Sequence, residues 1–438
     1  MKKNKYTVGF KIKNNNILFN SLYGTVDIIE NENLYNNIIA NKLNYIDNDL
    51  LQELFLRKYI TREDDISLVK SLYLKSKDTN KNKGRFYIVF SYLCNFKCPY
   101  CFEKDINDVN SMDMLKLENV LRCIRELIAT YKLEESEINL YGGEPLLLIN
   151  KDLINRVFEF ARLNNIKISV ITNGSNIKNY ISILEEYKKI INVISITIDG
   201  PKENNDLRRI YKNGTGSYDK IIESIQLLGE HNIKTSVRVN IDKSYKFSYL
   251  EFIQKLYSDI GHSIDVNLFK VEDNRCLGNI EEIMSDKDIV SEFNCEEVQY
   301  IFDNYSVNSC VKHYNQIKNL IDNEELILPL FKYCKVGNLF TFDPSGSIFI
   351  CPEATGDNKF TLGKYYPEIE IDKSKIEELL NLSITNVDKC SNCDLSPICG
   401  MGCPYESFNF TNNIKNPRCK YDDIYKAVEE YIETKYIK

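Results

Sequence analysis

From Arg85 onwards the hydrophobic positions switch repeatedly between a strand period and a helix period. Apolar runs fall at 86–91, 137–141, 167–171, 193–198, 235–241 and 264–269. Helical patterns near 112–131, 151–164, 178–190, 217–231 and 248–259 separate them. Such strand–helix alternation predicts parallel strands joined by right-handed crossovers, in either a partial (β/α) barrel or an open doubly wound sheet. Upstream, Tyr6–Ile12, Ile17–Leu22 and Val26–Ile29 alternate or are β-rich, and Asn14-Asn15-Asn16 reads as a hairpin turn. Helical patterns near 32–41 and 47–58 complete a small α+β unit over 1–74. Lys75 to Gly84 is polar and without period, which predicts a linker. Residues 272–333 read as a mostly helical bridge. The last segment, 334–438, is short-stranded and turn-rich, with a helix at 420–435. The predicted divisions are therefore 1–74, 75–84, 85–271, 272–333 and 334–438.

Composition narrows the class. The 438 residues are 43% hydrophobic and 27% charged, with a net charge of −7. That balance offers no footprint for nucleic acid or an anionic membrane. No apolar run approaches the roughly 20 residues that span a bilayer. The basic start Met1-Lys2-Lys3-Asn4-Lys5 is not a signal peptide, because Asn14, Asn15 and Asn16 interrupt its apolar region. A cytoplasmic protein is expected. In a reducing compartment its 14 cysteines point to metal ligation rather than disulfides. Three lie between 94 and 101 and seven between 334 and 419, while Cys123, Cys276, Cys295 and Cys310 stand apart.

Cys94-Asn95-Phe96-Lys97-Cys98-Pro99-Tyr100-Cys101 directly follows the first strand of the alternating region. Three thiolates this close can wrap one face of a cubane cluster and leave one iron open. An external amine and carboxylate would suit that iron. Zinc, the rival metal, prefers four protein ligands with a distant second pair, which this triple lacks nearby.

C-x3-C-x2-C with Tyr100 before its last cysteine resembles the signature of the radical S-adenosylmethionine (SAM) superfamily. Further motifs fall at strand ends, where (β/α) barrels place their chemistry. They are Gly142-Gly143-Glu144-Pro145, Thr172-Asn173-Gly174, Asp199-Gly200-Pro201 and the strand end at Asn240. The resemblance implies an α/β partial (β/α)6 barrel in which the GGEP segment binds the amino end of SAM. Thr172, Asn173 and Asp199 would lie near its ribose and carboxylate, and Asn240 on the adenine side. With Tyr100 and Arg209 these are the expected SAM contacts. No catalytic residue beyond the SAM cluster, held by Cys94, Cys98 and Cys101, is assigned. Asn205-Asp206-Leu207-Arg208-Arg209 resembles a His-Asp-x-x-Arg motif of the SPASM branch. Asn205 replaces its histidine, so no imidazole role carries over, whereas Arg209 retains the ability to pair with a carboxylate. Gly214 to Asp219 reads as a turn and an N-cap before a helix.

The downstream cysteines run Cys334-x11-Gly346-x4-Cys351, Cys390-x2-Cys393-x5-Cys399-x3-Cys403 and Cys419. These spacings are similar to the SPASM extension, which implies two auxiliary [4Fe–4S] clusters and three in all. By that resemblance Cys390, Cys393, Cys399 and Cys419 hold the outer auxiliary cluster, and Cys334, Cys351 and Cys403 the inner one. A pair of zinc ribbons would need eight ligands in C-x2-C units, and only Cys390/Cys393 forms one. The inner set is one ligand short. Either its iron is open, as a site for a substrate thiolate, or a donor such as Cys310 completes it. Cys123 is expected in the core and Cys276 and Cys295 have no partners at ligand spacing. His231, His262 and His313 are read as surface or packing residues.

The resemblance implies reductive cleavage of SAM and hydrogen abstraction from a peptide. The expected activity is a maturase of ribosomally made peptides that installs a cross-link, a cysteine thioether foremost. Residues 1–74 resemble a small winged-helix peptide-recognition domain that would pair a leader peptide with its exposed sheet edge. An external one-electron donor such as flavodoxin or ferredoxin is implied, with neither nucleic acid nor membrane as partner. The alternatives are an anaerobic sulfatase-maturing type of enzyme, a peptide epimerase and a non-catalytic iron–sulfur or peptide-binding protein. Sulfatase-maturing relatives carry a catalytic Asp directly after the second SPASM cysteine, where this chain has Pro352.

Overall fold

The computed structural model describes residues 1–437 except 64, 81–82, 104–105, 107–109, 245–246, 276–281, 325 and 332–337, and the side chains of 77–80. Two short strands, β1 (Lys2–Lys3) and β5 (Ile60–Thr61), pair antiparallel and bracket in sequence a three-stranded antiparallel sheet, β2 (Thr7–Ile12), β3 (Asn15–Asn20) and β4 (Val26–Ile29). The hairpin turn is Lys13-Asn14 rather than Asn14 to Asn16. Ile12 pairs with Asn15, and Lys13 takes the left-handed conformation with φ 52°. The chain thus turns one residue earlier than the asparagine run suggested.

β3 is buried on both faces. Leu18 joins a small core with Tyr35, Ile38, Leu54 and Tyr59, while Ile17 and Phe19 join the main core. The N-terminal unit is docked on the C-terminal helix Tyr421–Tyr436. Phe10 packs on Tyr425 at 4.5 Å, and the Tyr425 hydroxyl donates to the Gly9 carbonyl at 2.9 Å.

The linker predicted at 75–84 is not one. Helix Ile66–Asn80 runs through most of it, and β6 (Lys83–Val89) begins before its end. Lys75 to Asn80 is polar without a helical period, but it continues a helix already nucleated from Ile66.

Six strands follow the predicted order: β6, β7 (Glu135–Tyr141), β8 (Lys167–Thr172), β9 (Ile191–Thr197), β10 (Thr235–Ile241) and β11 (Asp265–Lys270). The helices between them have conventional ends. Asp113 caps Met114–Tyr131 by accepting from Lys116 N, Ser248 caps Tyr249–Ile260, and Gly261 ends that helix with φ +80°. The predicted helical bridge contains a further strand, β12 (Val307–Ser309), parallel to β11. On the other side β13 (Leu339–Phe342) joins β6 in parallel, and β14 (Ser347–Phe349), β15 (Thr361–Lys364) and β16 (Glu370–Ile371) extend the sheet antiparallel.

From β6 to β12 the strands add in sequence order without reversal. A doubly wound sheet needs a reversal to place helices on both faces. Successive right-handed crossovers in one direction put the helices on one face and leave the other as an inner face. Burial follows suit. Ile194, Ile196, Val237, Val239, Val266 and Leu268 are fully buried beneath the helices. No helix among the described residues is long and apolar enough to cross a membrane.

Candidate active site

The Cys94–Cys101 loop leaves the end of β6 and is fastened on both sides. Lys97 N donates to Ile210 O and Lys212 N to Asn95 O, each at 2.9 Å, and Phe96 packs edge-on against Tyr211 at 4.6 Å. From β7, Glu144 N donates to Leu93 O at 2.9 Å. The crossing is tight: a Cβ on Gly143 would lie 2.3 Å from Leu93 O, and Gly142 takes φ +105°. Glycine is required here for close approach and for backbone conformation.

Glu144 is buried, and burial raises its carboxyl despite three hydrogen bonds. It accepts from Thr172 Oγ1 at 2.6 Å, Leu146 N at 2.8 Å and Asn173 N at 2.7 Å. Thr172 therefore orients Glu144. Asn173 donates to Asn95 Oδ1 at 2.8 Å and approaches Cys94 Sγ at 3.9 Å. Pro145 accepts from Asn150 through its carbonyl.

Tyr100 is the hub of the opposite side. Its hydroxyl donates to Asp199, accepts from Arg209 Nη1 at 2.7 Å and meets Asn240 Nδ2 at 3.3 Å. Asn205 accepts from Asp199 N and donates to Ser217, a structural role suited to an amide in place of the motif's imidazole. The cap of helix Tyr218–Glu230 is Asp206, which accepts from both Ser217 N and Tyr218 N at 2.8 Å. Ser217, at the N-cap position of the predicted Gly214 to Asp219 turn, instead donates its hydroxyl to Arg209 O. Gly216 permits this, since a Cβ there would meet Asp206 at 2.3 Å.

The donors fit a cluster and SAM. Burial first, then Glu144 and the neighbouring thiols, push Cys94 up to about 12, and burial likewise raises Cys98 and Cys101. Three thiols sharing one enclosed loop suit displacement of their protons by iron. Arg209 is 7% exposed, and its Nε has no hydrogen-bond partner among the described residues. An orphaned buried donor on a cation matches a ligand carboxylate.

Cys390, Cys393, Cys399 and Cys419 line one cavity of about 470 Å³, with Lys5 of the N-terminal unit at its edge. The structure brings together the four residues predicted for the outer auxiliary cluster. Among the described residues, no three His, Cys, Asp or Glu side chains converge on a point to hold a single metal ion. Of the predicted inner set, Cys351 and Cys403 precede the short helices Pro352–Ala354 and Pro404–Thr411, while Cys334 lies outside the described residues. Cys310 directly follows β12, with Sγ 3.9 Å from Asn267 Oδ1. Cys123 is buried in the core, as expected, Cys295 is exposed, and Cys276 lies outside the described residues. His313 is buried between Asp286 (2.7 Å) and Cys399 O (3.1 Å).

Several site residues escaped the sequence reading. Arg208 pairs with Asp242 at 2.7 Å and stacks over Tyr100 at 4.8 Å. Glu103, two residues past the last cysteine, is buried, with Oε1 unpartnered among the described residues, and burial pushes it up to about 7. Glu353 follows Pro352 and accepts from Asn274 at 2.6 Å; burial, then Glu272, raises it. It lines a cavity of about 270 Å³ together with Tyr100 and Cys101. Only polarity at every second strand position could have signalled an inner face rather than a core.

Residues 88–251 match the model of the Radical SAM superfamily. The chain carries a radical SAM domain and is a radical SAM enzyme. The cysteine-type anaerobic sulfatase-maturating enzyme of Clostridium novyi is 28% identical over 348 residues, covering 71% of this chain and 84% of the relative. The radical SAM cyclopropyl synthase TigE of Paramaledivibacter caminithermalis is 25% identical over 452 residues, covering 91% and 88%. Streptococcus suis SuiB, solved bound to the precursor peptide SuiA, shares the fold. Its TM-score is 0.57 at 15% identity, over 96% of this chain and 99% of SuiB.

Proposed function

We propose that this enzyme is a peptide maturase. It removes hydrogen from a ribosomally made precursor and installs a cross-link, a cysteine thioether foremost. The supporting observation is extent: likeness to SuiB, a protein solved with its precursor peptide, runs through 96% of the chain rather than stopping at the radical SAM domain. Likeness to the sulfatase-maturating relative covers 71%.

In this reading Cys94, Cys98 and Cys101 hold the SAM cluster. SAM lies across Gly142 to Pro145, Thr172, Asn173, Asp199, Arg209 and Asn240. Bound SAM and the reduced cluster supply a carbon radical able to take hydrogen from a substrate. The protein's part is orientation and exclusion of water. Arg209, through Tyr100, ties the ligand's carboxylate end to the cysteine loop. Two further [4Fe–4S] clusters occupy the Cys390–Cys419 cavity and the Cys334, Cys351 and Cys403 set. A flavodoxin- or ferredoxin-like protein supplies the electron. The leader peptide adds to β4, the edge away from the C-terminal helix, beyond Val26, whose carbonyl already accepts from Arg57 Nη2 at 3.1 Å.

Anaerobic co-expression with a short cysteine-bearing peptide encoded beside the gene tests this. Loss of two hydrogens per event is expected. Unchanged mass with deuterium uptake would instead assign epimerisation, and no change in any neighbouring peptide would sink the maturase reading.

A further inference from the structure

Parallel strands buried on both faces carry near-continuous apolar runs, and barrel interiors are filled by branched apolar side chains. The inner face here is different. In register across β7, β6 and β13, Asn139, Tyr87 and Thr341 stand side by side. Asn139 is 6% exposed and Thr341 fully buried, yet Asn139 Nδ2 and Thr341 Oγ1 have no hydrogen-bond partner among the described residues. Leaving such groups unmade costs roughly 1–3 kcal/mol each, so their retention on one face marks a place for a polar ligand.

Arg238 of β10 shares this face. Its guanidinium stacks on Phe269 at 3.8 Å, and its Nε donates to Asn240 Oδ1 at 2.9 Å. Asn240 in turn meets Tyr100 in the cysteine loop. Arg238 is only half-buried, and its two terminal nitrogens have no protein acceptor among the described residues. The nearby Glu353 is held by Asn274 and makes no ion pair with it. A planar fork, clamped on one face and along one edge with its outer edge open, is preorganised for a bidentate acceptor.

We propose that Arg238 is a substrate-recognition residue that takes an acidic side-chain carboxylate of the peptide beside the SAM site. This rests on the peptide-maturase reading. Asn139 and Thr341 supply further polar contacts along the same face. SAM's own methionine carboxylate is the other source of that chemistry, and the test separates the two.

The full chain, reconstituted anaerobically and loaded with SAM, is challenged in equilibrium dialysis with two acetylated, amidated pentapeptides. They differ only in a central Glu or Gln. The Glu peptide should bind at least about tenfold more tightly. Arg238→Gln should erase that preference, and Arg238→Lys, which keeps the charge but not the fork, should retain only part of it. Equal binding of the two peptides, or binding of neither, overturns the inference, while the maturase reading is judged separately by co-expression. An Arg238→Gln loss of SAM affinity as large as the loss for the Glu peptide assigns the guanidinium to SAM and overturns it too.

Discussion

Arg209 donates to the hydroxyl of Tyr100 at 2.7 Å, joining the segment after β9 to the cysteine loop after β6. Both residues belong to one hydrogen-bonded group with Asp199, which is fully buried, and Asn240. Arg209→Lys keeps the charge but loses the fork that can hold Tyr100 and a carboxylate together. SAM affinity should fall by about tenfold to a hundredfold, measured by equilibrium dialysis. Tyr100→Phe should cost roughly 1–3 kcal/mol of stability, read by chemical denaturation, because Asp199 loses a buried donor.

Gly143→Ala places a methyl group against the Leu93 carbonyl, at 2.3 Å without relaxation. Backbone rather than a flexible side chain is in the way, so the cysteine loop must shift. Both SAM binding and iron content should decline if Cys94, Cys98 and Cys101 hold the cluster as proposed. A variant with native iron content and native SAM affinity would show that the crossing tolerates a side chain.

Cys393 is one of four thiols around the 470 Å³ cavity. With three cubane clusters the reconstituted enzyme should carry about 12 iron atoms and Cys393→Ala about 8. The variant should still cleave SAM while failing to release modified peptide. About 4 iron atoms in the native protein would remove the auxiliary pair.

Asp286 is buried between His313, at 2.7 Å, and Lys270, at 3.0 Å. Burial alone would raise its carboxyl, but these partners hold it well below the usual carboxylate range. Its folded value therefore lies below the unfolded value of about 3.9. The stabilisation is fully present above roughly pH 5 and is lost as pH falls through the folded value. Asp286→Asn should cost about 3 kcal/mol at neutral pH by strip-out of one partner from a buried pair. The gap from the native protein should narrow below about pH 4.

Local chemistry was legible before folding. Cys94, Cys98 and Cys101 sit within eight residues, and the strand-end motifs each sit within one turn, so spacing alone brings their atoms together. The strands from β6 to β11 were equally legible, because a period-2 or 3.6 pattern is a property of neighbouring residues. The helix through Lys75 was not, since its support comes from residues before the polar stretch. β12 was missed because three residues are too few to show a period.

What the sequence by itself determined is the spacing of the candidate donors and the order of elements: cysteine spacing sets which thiols can share one loop, and hydrophobic period selects strand or helix. Only the tertiary structure decided which side of the strands faces inward. Addition of β6 to β12 in one direction turned Tyr87, Asn139 and Arg238 towards a common space, and docking of β2 on the C-terminal helix left β4 as the opposite edge strand, met by Arg57. The reason is physical. A strand's alternation divides its residues between two faces, but which face is covered depends on helices and sheets contributed by distant parts of the chain.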